Sequence, residues 1–185
     1  LPADIPEDPH PGEQPIAYVL RLARKKAEAV AASPAFTTLA AQHPNEPLFV
    51  LGADTTVVAP NGEMLAKPES DADAARMLRL LAGATHQVIT GVALVAGSHT
   101  EVAAEVTHVT FLSPSDEDIA RYIATGEPQG KAGAYAIQGQ AARWIPRVHG
   151  CYFNVVGLPL ALVAGMIAGA EERFARAQSF RNDQV

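Results

Sequence analysis

Residues 48–51, Leu-Phe-Val-Leu, form an unbroken apolar run. Such a run suits a strand buried on both faces, and a strand of that kind needs layers above and below it. The run then breaks into Gly52, Ala53 and a carboxylate, Asp54, followed by Thr55 and Thr56. Small residues before an acid at a strand end leave room for a ligand, and ligands in α/β sheets gather at strand C-termini. The same Asp could instead form an Asx-type turn.

Helix and strand patterns alternate around this strand. Ile16, Val19, Leu20, Ala23, Ala27 and Val30 share one helical face, so a helix is expected over about 14–32. Residues 33–47, with three prolines, read as a loop. Pro60-Asn61-Gly62 predicts a hairpin pairing 54–59 with 63–67. Ser70 reads as the N-cap of a helix that stops at Gly83. Residues 86–96 and 101–112 are β-like and joined by a short turn. A capped helix follows over 113–126, then a loop at 131–139 and an edge strand in 142–150, where Pro146 rules out a central place. Pro159 opens a last helix that turns polar after Glu171. This order predicts an α/β fold with a mixed sheet.

Composition narrows the function. With 48% hydrophobic and 18% charged residues the 185-residue chain is globular. A net charge of −6 without a Lys/Arg block argues against a nucleic-acid-coating surface. The single cysteine, Cys151, excludes an internal disulfide and fits a reducing compartment, so a cytoplasmic location is expected, without a signal peptide. The most apolar stretch, 155–170, is short of the roughly 20 residues a membrane span needs. The six histidines show no HxxxH spacing, and neither a GxxxxGK[ST] nor a GxGxxG loop occurs.

Four stretches carry possible chemistry. By helical phase Lys26 lies on the flank of the buried stripe while Lys25 points away. Lys26 either snorkels to water or holds its ammonium beside an anion pocket. Lys67, held extended by Pro68, lies on the strand expected to pair with the Asp54 strand. The stretch KAGAYAIQG, 131–139, is so poor in polar side chains that it is either a tight buried crossover or a surface for close approach by a planar ligand. Gln138 there offers both a donor and an acceptor.

Taken together, LRLARKKA (20–27), GADTTV (52–57), AKP (66–68), LAGATHQVIT (81–90), KAGAYAIQG (131–139) and GCYFNVVGLPL (150–160) resemble the Maf family of nucleotide pyrophosphatases, first linked to septum formation. The resemblance runs from about Ile5 to Leu162. It implies a single Maf-like domain over 1–185 with a Maf/inosine-triphosphatase-like fold: an elongated mixed β-sheet flanked by helices, in two lobes with a central cleft. The family pattern opens with LAS-x-SPRR, whose Ser and Arg residues cradle phosphates, and the sequence here starts beyond that segment.

The resemblance also implies an activity. Family members hydrolyse the α–β phosphoanhydride of nucleoside triphosphates to a monophosphate and pyrophosphate, with a divalent cation, Mg²⁺ or Mn²⁺. Asp54 matches the catalytic proton acceptor, and Lys26 and Lys67 match lysines that neutralise triphosphate charge. Glu7 matches an acidic residue that would join Asp54 as a metal ligand. Thr55 and Gln138 match positions tied to choice of base, and the Ala-Asp-Thr form resembles the dTTP/UTP branch. A buried Gln138 amide would pair with O4 and N3–H of uracil or thymine and reject cytosine. The expected partner is thus a nucleoside triphosphate, with no nucleic acid and no membrane, and a homodimer is compatible. The alternatives are a house-cleaning pyrophosphatase for modified nucleotides, including 7-methyl-GTP, and a nucleotide-binding regulator of cell division.

Overall fold

The computed structural model describes residues 1, 3, 5–44 and 46–182. A five-stranded sheet carries six helices in the order α1 (Pro15–Ala31), α2 (Pro34–Gln42), β1 (Phe49–Val58), β2 (Met64–Leu65), α3 (Asp71–Leu81), β3 (Thr85–Ala96), β4 (His99–Thr110), α4 (Asp116–Ile123), β5 (Arg147–His149), α5 (Tyr152–Val156) and α6 (Leu160–Asn182). The strand order is β2-β1-β3-β4-β5.

The fold is α/β as the sequence predicts, but every pairing among the described residues is antiparallel, so the expected mixed sheet is corrected. The reason lies in one crossover. The β2–α3–β3 unit returns β3 in the same direction as β2, but β1 lies between them and opposes both. The two co-directional strands therefore never touch. On its β2 side β1 pairs only at Val57 and Val58, which leaves 49–56 without a strand partner there among the described residues.

Local chemistry sets most boundaries. The expected hairpin forms, with Gly62 in the left-handed region at φ 88°. Ser70 and Ser115 cap α3 and α4 by accepting from the backbone N–H groups of Asp73 and Asp118. The same device overturns one expectation. Residues 34–42, read as loop, form α2, because Ser33 caps the helix and Pro34 fills its first position, where a missing N–H costs nothing. The expected strand in 142–150 shrinks to three residues at the sheet edge, since Gln140–Trp144 coil into a 3₁₀ turn.

Three apolar clusters build two lobes. At one end Val57, Leu65, Leu78, Phe111, Tyr122 and Trp144 pack α3, α4 and the 131–144 segment on the sheet. At the other end α1 covers one face, against Val50, Ala93 and Val95, and α6 covers the opposite face, with Val163, Met166 and Ala170 on Val92 and Leu94. Among the described residues no helix is long and apolar enough to cross a membrane.

The α1 contact is unusually close. Its buried arc is Val19, Leu22, Ala23 and Ala27. This arc is rotated from the expected stripe towards Leu22, and Ile16 is left exposed. Gly52 and Gly91 form the floor beneath it. A Cβ on Gly52 would lie 2.4 Å from the Ala23 carbonyl oxygen, and one on Gly91 would lie 2.5 Å from the Val19 carbonyl. Gly52 therefore serves helix packing and not, as its small size suggests, ligand access. Gly52→Ala should force α1 outwards and destabilise the protein by about 1–3 kcal/mol, the usual cost of overpacking. Gly165→Ala on α6, where nothing lies within 4 Å of the added Cβ, is the control and should be neutral or slightly stabilising. Urea midpoints of the two variants check the pair, and equal midpoints would contradict the close-packing account.

Candidate active site

Between the lobes lies a cleft of about 480 Å³. Its walls come from residues 7–9, α1, the middle of β1, the end of the β1–β2 hairpin, the 131–135 loop and the end of α5. Glu7, Lys26, Asp54, Thr55 and Lys67 all line it. Five of the six residues singled out in the sequence thus converge from segments up to sixty residues apart.

The centre of the cleft is a charge cluster. Lys26 Nζ donates to Asp54 Oδ1 at 2.7 Å and lies 2.6 Å from Glu7 Oε1. Lys67 is more exposed and stands 3.8 Å from Glu7 Oε2. Lys26 reaches this point because the buried arc of α1 leaves it at the arc's edge, while Lys25 is exposed. Glu7 is brought in from an irregular segment by Arg21. That guanidinium donates to the Asp8 carbonyl oxygen at 3.1 Å and to both oxygens of Glu13 at 2.7 Å. The bidentate pair ties the segment to α1.

Burial and charge act in opposite directions here. Burial pushes the Asp54 carboxyl above its ordinary range, and the hydrogen bond and charge of Lys26 only partly pull it back. Burial alone would depress Lys26, yet its two carboxylates outweigh that effect and raise its pKa. Glu7, half-buried, is lowered chiefly by its hydrogen bond from Lys26. The directions for Asp54 and Lys26 differ in what they favour. The 2.7 Å geometry argues for a charged pair, and the upward shift of Asp54 then describes a carboxylate made more basic by its surroundings.

The donor set suits a hard cation. Glu7 and Asp54 are carboxylates held on one ammonium, and no group of three or more metal-ligating side chains occurs among the described residues. Two carboxylates could hold such an ion only with water or other ligands filling the rest of its coordination shell.

The opposite face of β1 carries a different chemistry. Alternation along the strand puts Thr55 on the face away from α1. Its hydroxyl lies 2.8 Å from that of Thr90, the residue paired with it across β3. Val88, Tyr135, Val155 and Val156 also line this part of the cleft. Tyr135 is propped from beneath by buried His86, whose Nε2 lies 2.9 Å from the phenol oxygen. Burial holds that imidazole down at about 4, so it is neutral near pH 7.

The 131–139 loop resolves the choice left by its composition. Gly133, Ala134, Tyr135 and Ile137 are buried, and Gly133 sits at φ 70° against the Val57 side chain. The loop is a tight crossover that presents Lys131, Ala132 and Tyr135 to the cleft. Gln138 departs from expectation. It is exposed and absent from the lining, so the amide is not buried. The loop turns at this point, where Glu127 accepts from the Gln140 N–H and fills the space where a Cβ on Gly139 would sit. Sequence reasoning misses Tyr18 and Lys131, which line the cleft, and Thr90 and Asn154, which stand behind Thr55. Helical phase would have found Tyr18, two turns before Lys26 on α1, and the lone lysine of the loop marks Lys131. The two others act through folding contacts with no local pattern.

Removing Lys26 leaves Asp54 with burial largely uncompensated. In Lys26→Met the Asp54 carboxyl should titrate at higher pH than in the unchanged protein, as followed by ¹³C NMR of the side-chain carboxyl. An unchanged titration would mean that Lys26 does not set the charge state of Asp54.

The described family that matches this chain is "Maf-like protein", over residues 1–170. Among curated relatives, a dTTP/UTP pyrophosphatase of Koribacter versatilis is 52% identical over 169 residues, covering 91% of this chain and 81% of that protein. One of Geobacter sulfurreducens is 48% identical over 87% of this chain and 79% of its own length. One of Shigella sonnei is 49% identical over 84% and 74% respectively.

Proposed function

The chain belongs to the Maf family, and from that membership we propose that it is a nucleoside triphosphate pyrophosphatase acting on dTTP and UTP, with release of the nucleoside monophosphate and pyrophosphate. The observation that carries the reading to this cleft is the convergence of Glu7, Lys26, Asp54 and Lys67 on one charged wall, with Thr55 and apolar side chains across β1.

The chemistry follows from these positions. Water attacks the α-phosphorus, the bond to the bridging oxygen breaks, and pyrophosphate leaves. Asp54 takes the proton of the attacking water. Its carboxylate is well placed for this, since burial makes it more basic than an exposed Asp. Lys26 and Lys67 offset the charge of the triphosphate oxygens as positioned ammonium groups. Lys131 adds a third positive charge at the rim. Glu7 and Asp54 would hold a divalent cation, which supplies charge neutralisation on the phosphates and polarises the attacking water. Lys26 is shared by both carboxylates, so an incoming triphosphate would draw this one ammonium from acid towards phosphate.

Two measurements check the proposal. Chromatography of products from a panel of triphosphates, with Mg²⁺ or Mn²⁺, should show dTTP and UTP hydrolysed well above CTP, ATP and GTP, with pyrophosphate as first product. Orthophosphate as first product overturns the reaction, and a preference for 7-methyl-GTP overturns the branch. Asp54→Asn should keep the fold and lose nearly all turnover. Lys67→Ala should lower turnover strongly, while Lys25→Ala on the exposed side of α1 should do little; equal losses from the two lysines would contradict the placement of Lys25 on the solvent side of α1.

A further inference from the structure

The hydroxyl of Thr55 belongs to a chain that ends in the backbone of α5. Thr90 Oγ1 donates to the Asn154 carbonyl oxygen at 3.1 Å and lies 2.8 Å from Thr55 Oγ1. Thr90 has one hydroxyl hydrogen, and Asn154 takes it. The Thr55–Thr90 bond must therefore use the hydrogen of Thr55. Asn154 is itself locked. It is fully buried, and its Nδ2 donates to the Val88 carbonyl oxygen and to Thr107 Oγ1, both at 2.9 Å. Thr107 closes the ring by donating to the Cys151 carbonyl oxygen and accepting from the Cys151 N–H. The Val88 contact also assigns the amide, because a carbonyl can only accept.

From this we infer that Thr90 and Asn154 are positioning residues that fix the Thr55 hydroxyl as a pure acceptor towards the cleft, and that the acceptor reads the N3–H of a pyrimidine. The inference rests on the function proposed above and adds the means of base choice. Thr55 spends its only hydrogen on Thr90, so it offers lone pairs alone. A phosphate oxygen, also an acceptor, is repelled there, whereas Lys26 meets Asp54 across β1 on the other face. The group that faces Thr55 must donate. The walls beside it, Val88, Tyr135, Val155 and Val156, suit a planar ring better than a hydroxylated sugar. Uracil and thymine carry a hydrogen on N3 and cytosine does not. The exposed Gln138 is not needed for this discrimination.

The test is the ratio of kcat/KM for UTP to that for CTP. Thr90→Val is nearly isosteric, and it frees the Thr55 hydrogen to turn into the cleft and donate to the bare N3 of cytosine. The ratio should fall by roughly tenfold, mainly through KM, as expected for one mismatched polar contact. Thr90→Ser, which keeps the hydroxyl, should restore it. Thr55→Val should also lower the ratio, and the double variant should lower it no further than the lower single, since both act through one hydrogen bond. The unchanged protein offers a second arm that needs no variant: 3-methyl-UTP, which lacks the N3 hydrogen, should be a poor substrate beside UTP. An unchanged ratio in Thr90→Val, multiplied losses in the double variant, an equal fall in kcat for every triphosphate, or rapid hydrolysis of 3-methyl-UTP would each overturn the inference. Failure of the unchanged protein to release pyrophosphate from UTP would instead remove the function it rests on.

Discussion

Two glycines let α1 lie on the sheet closer than any side chain would allow. Gly52 and Gly91 sit under Ala23 and Val19, and the backbone of α1 occupies the space their Cβ atoms would need. The Lys26–Asp54 pair depends on that distance. Asp54 projects from the same face of β1 as Gly52, two residues on. Lys26 follows Ala23 by one helical turn, so its ammonium arrives on the carboxylate at 2.7 Å. A helix held further out would leave Asp54 half-buried without a partner, a costly state for an ionised group.

The resulting cluster is balanced, not saturated. Two carboxylates share one ammonium, and the second lysine stands off at 3.8 Å. Lys26 and Glu7 each have a second partner, whereas Asp54 has Lys26 alone among the described residues, so a shift of that ammonium bears most on Asp54. Arg21 contributes from outside by pinning the segment that carries Glu7, so that an irregular stretch still delivers its carboxylate to a defined place. β1 then divides labour by simple alternation. Its α1 face holds charge, and its α6 face holds a neutral hydroxyl chain among apolar walls. A triphosphate and a base have the same contrast of chemistry.

Much of this was legible beforehand. Most strands and helices, the cap at Ser70 and the hairpin at 60–62 depend on near neighbours and match the sequence reading, with α2 and the short α5 as exceptions. Glu7, Lys26, Asp54, Thr55 and Lys67 stand out by local pattern or motif likeness, and all reach the cleft. The failures have particular causes. Ser33-Pro34 was a cap signal overlooked among prolines. The small size of Gly52 suggests ligand access, whereas its true neighbours are Ala23 and Ala27 on α1, a helix that no local pattern links to it. Gln138 shares a motif with buried residues, but the loop turns over at Gly139 and leaves its amide outside.

The sequence by itself determined most of the strands and helices, that an acid follows Gly52 and Ala53 on β1, and which lysine of the Lys25-Lys26 pair faces inwards, although Asp54 lies within the ten-residue strand and not at its end. These are matters of period and of capping, settled within a turn or two of chain. Only the tertiary structure decided the antiparallel pairing throughout, the shared ammonium and the direction of the Thr55 hydroxyl. Sheet order depends on β1 lying between two co-directional strands. The charge states depend on burial that no single segment supplies. The hydroxyl's direction depends on a carbonyl 64 residues from Thr90, and a single hydrogen can be assigned only when every neighbour competing for it is in place.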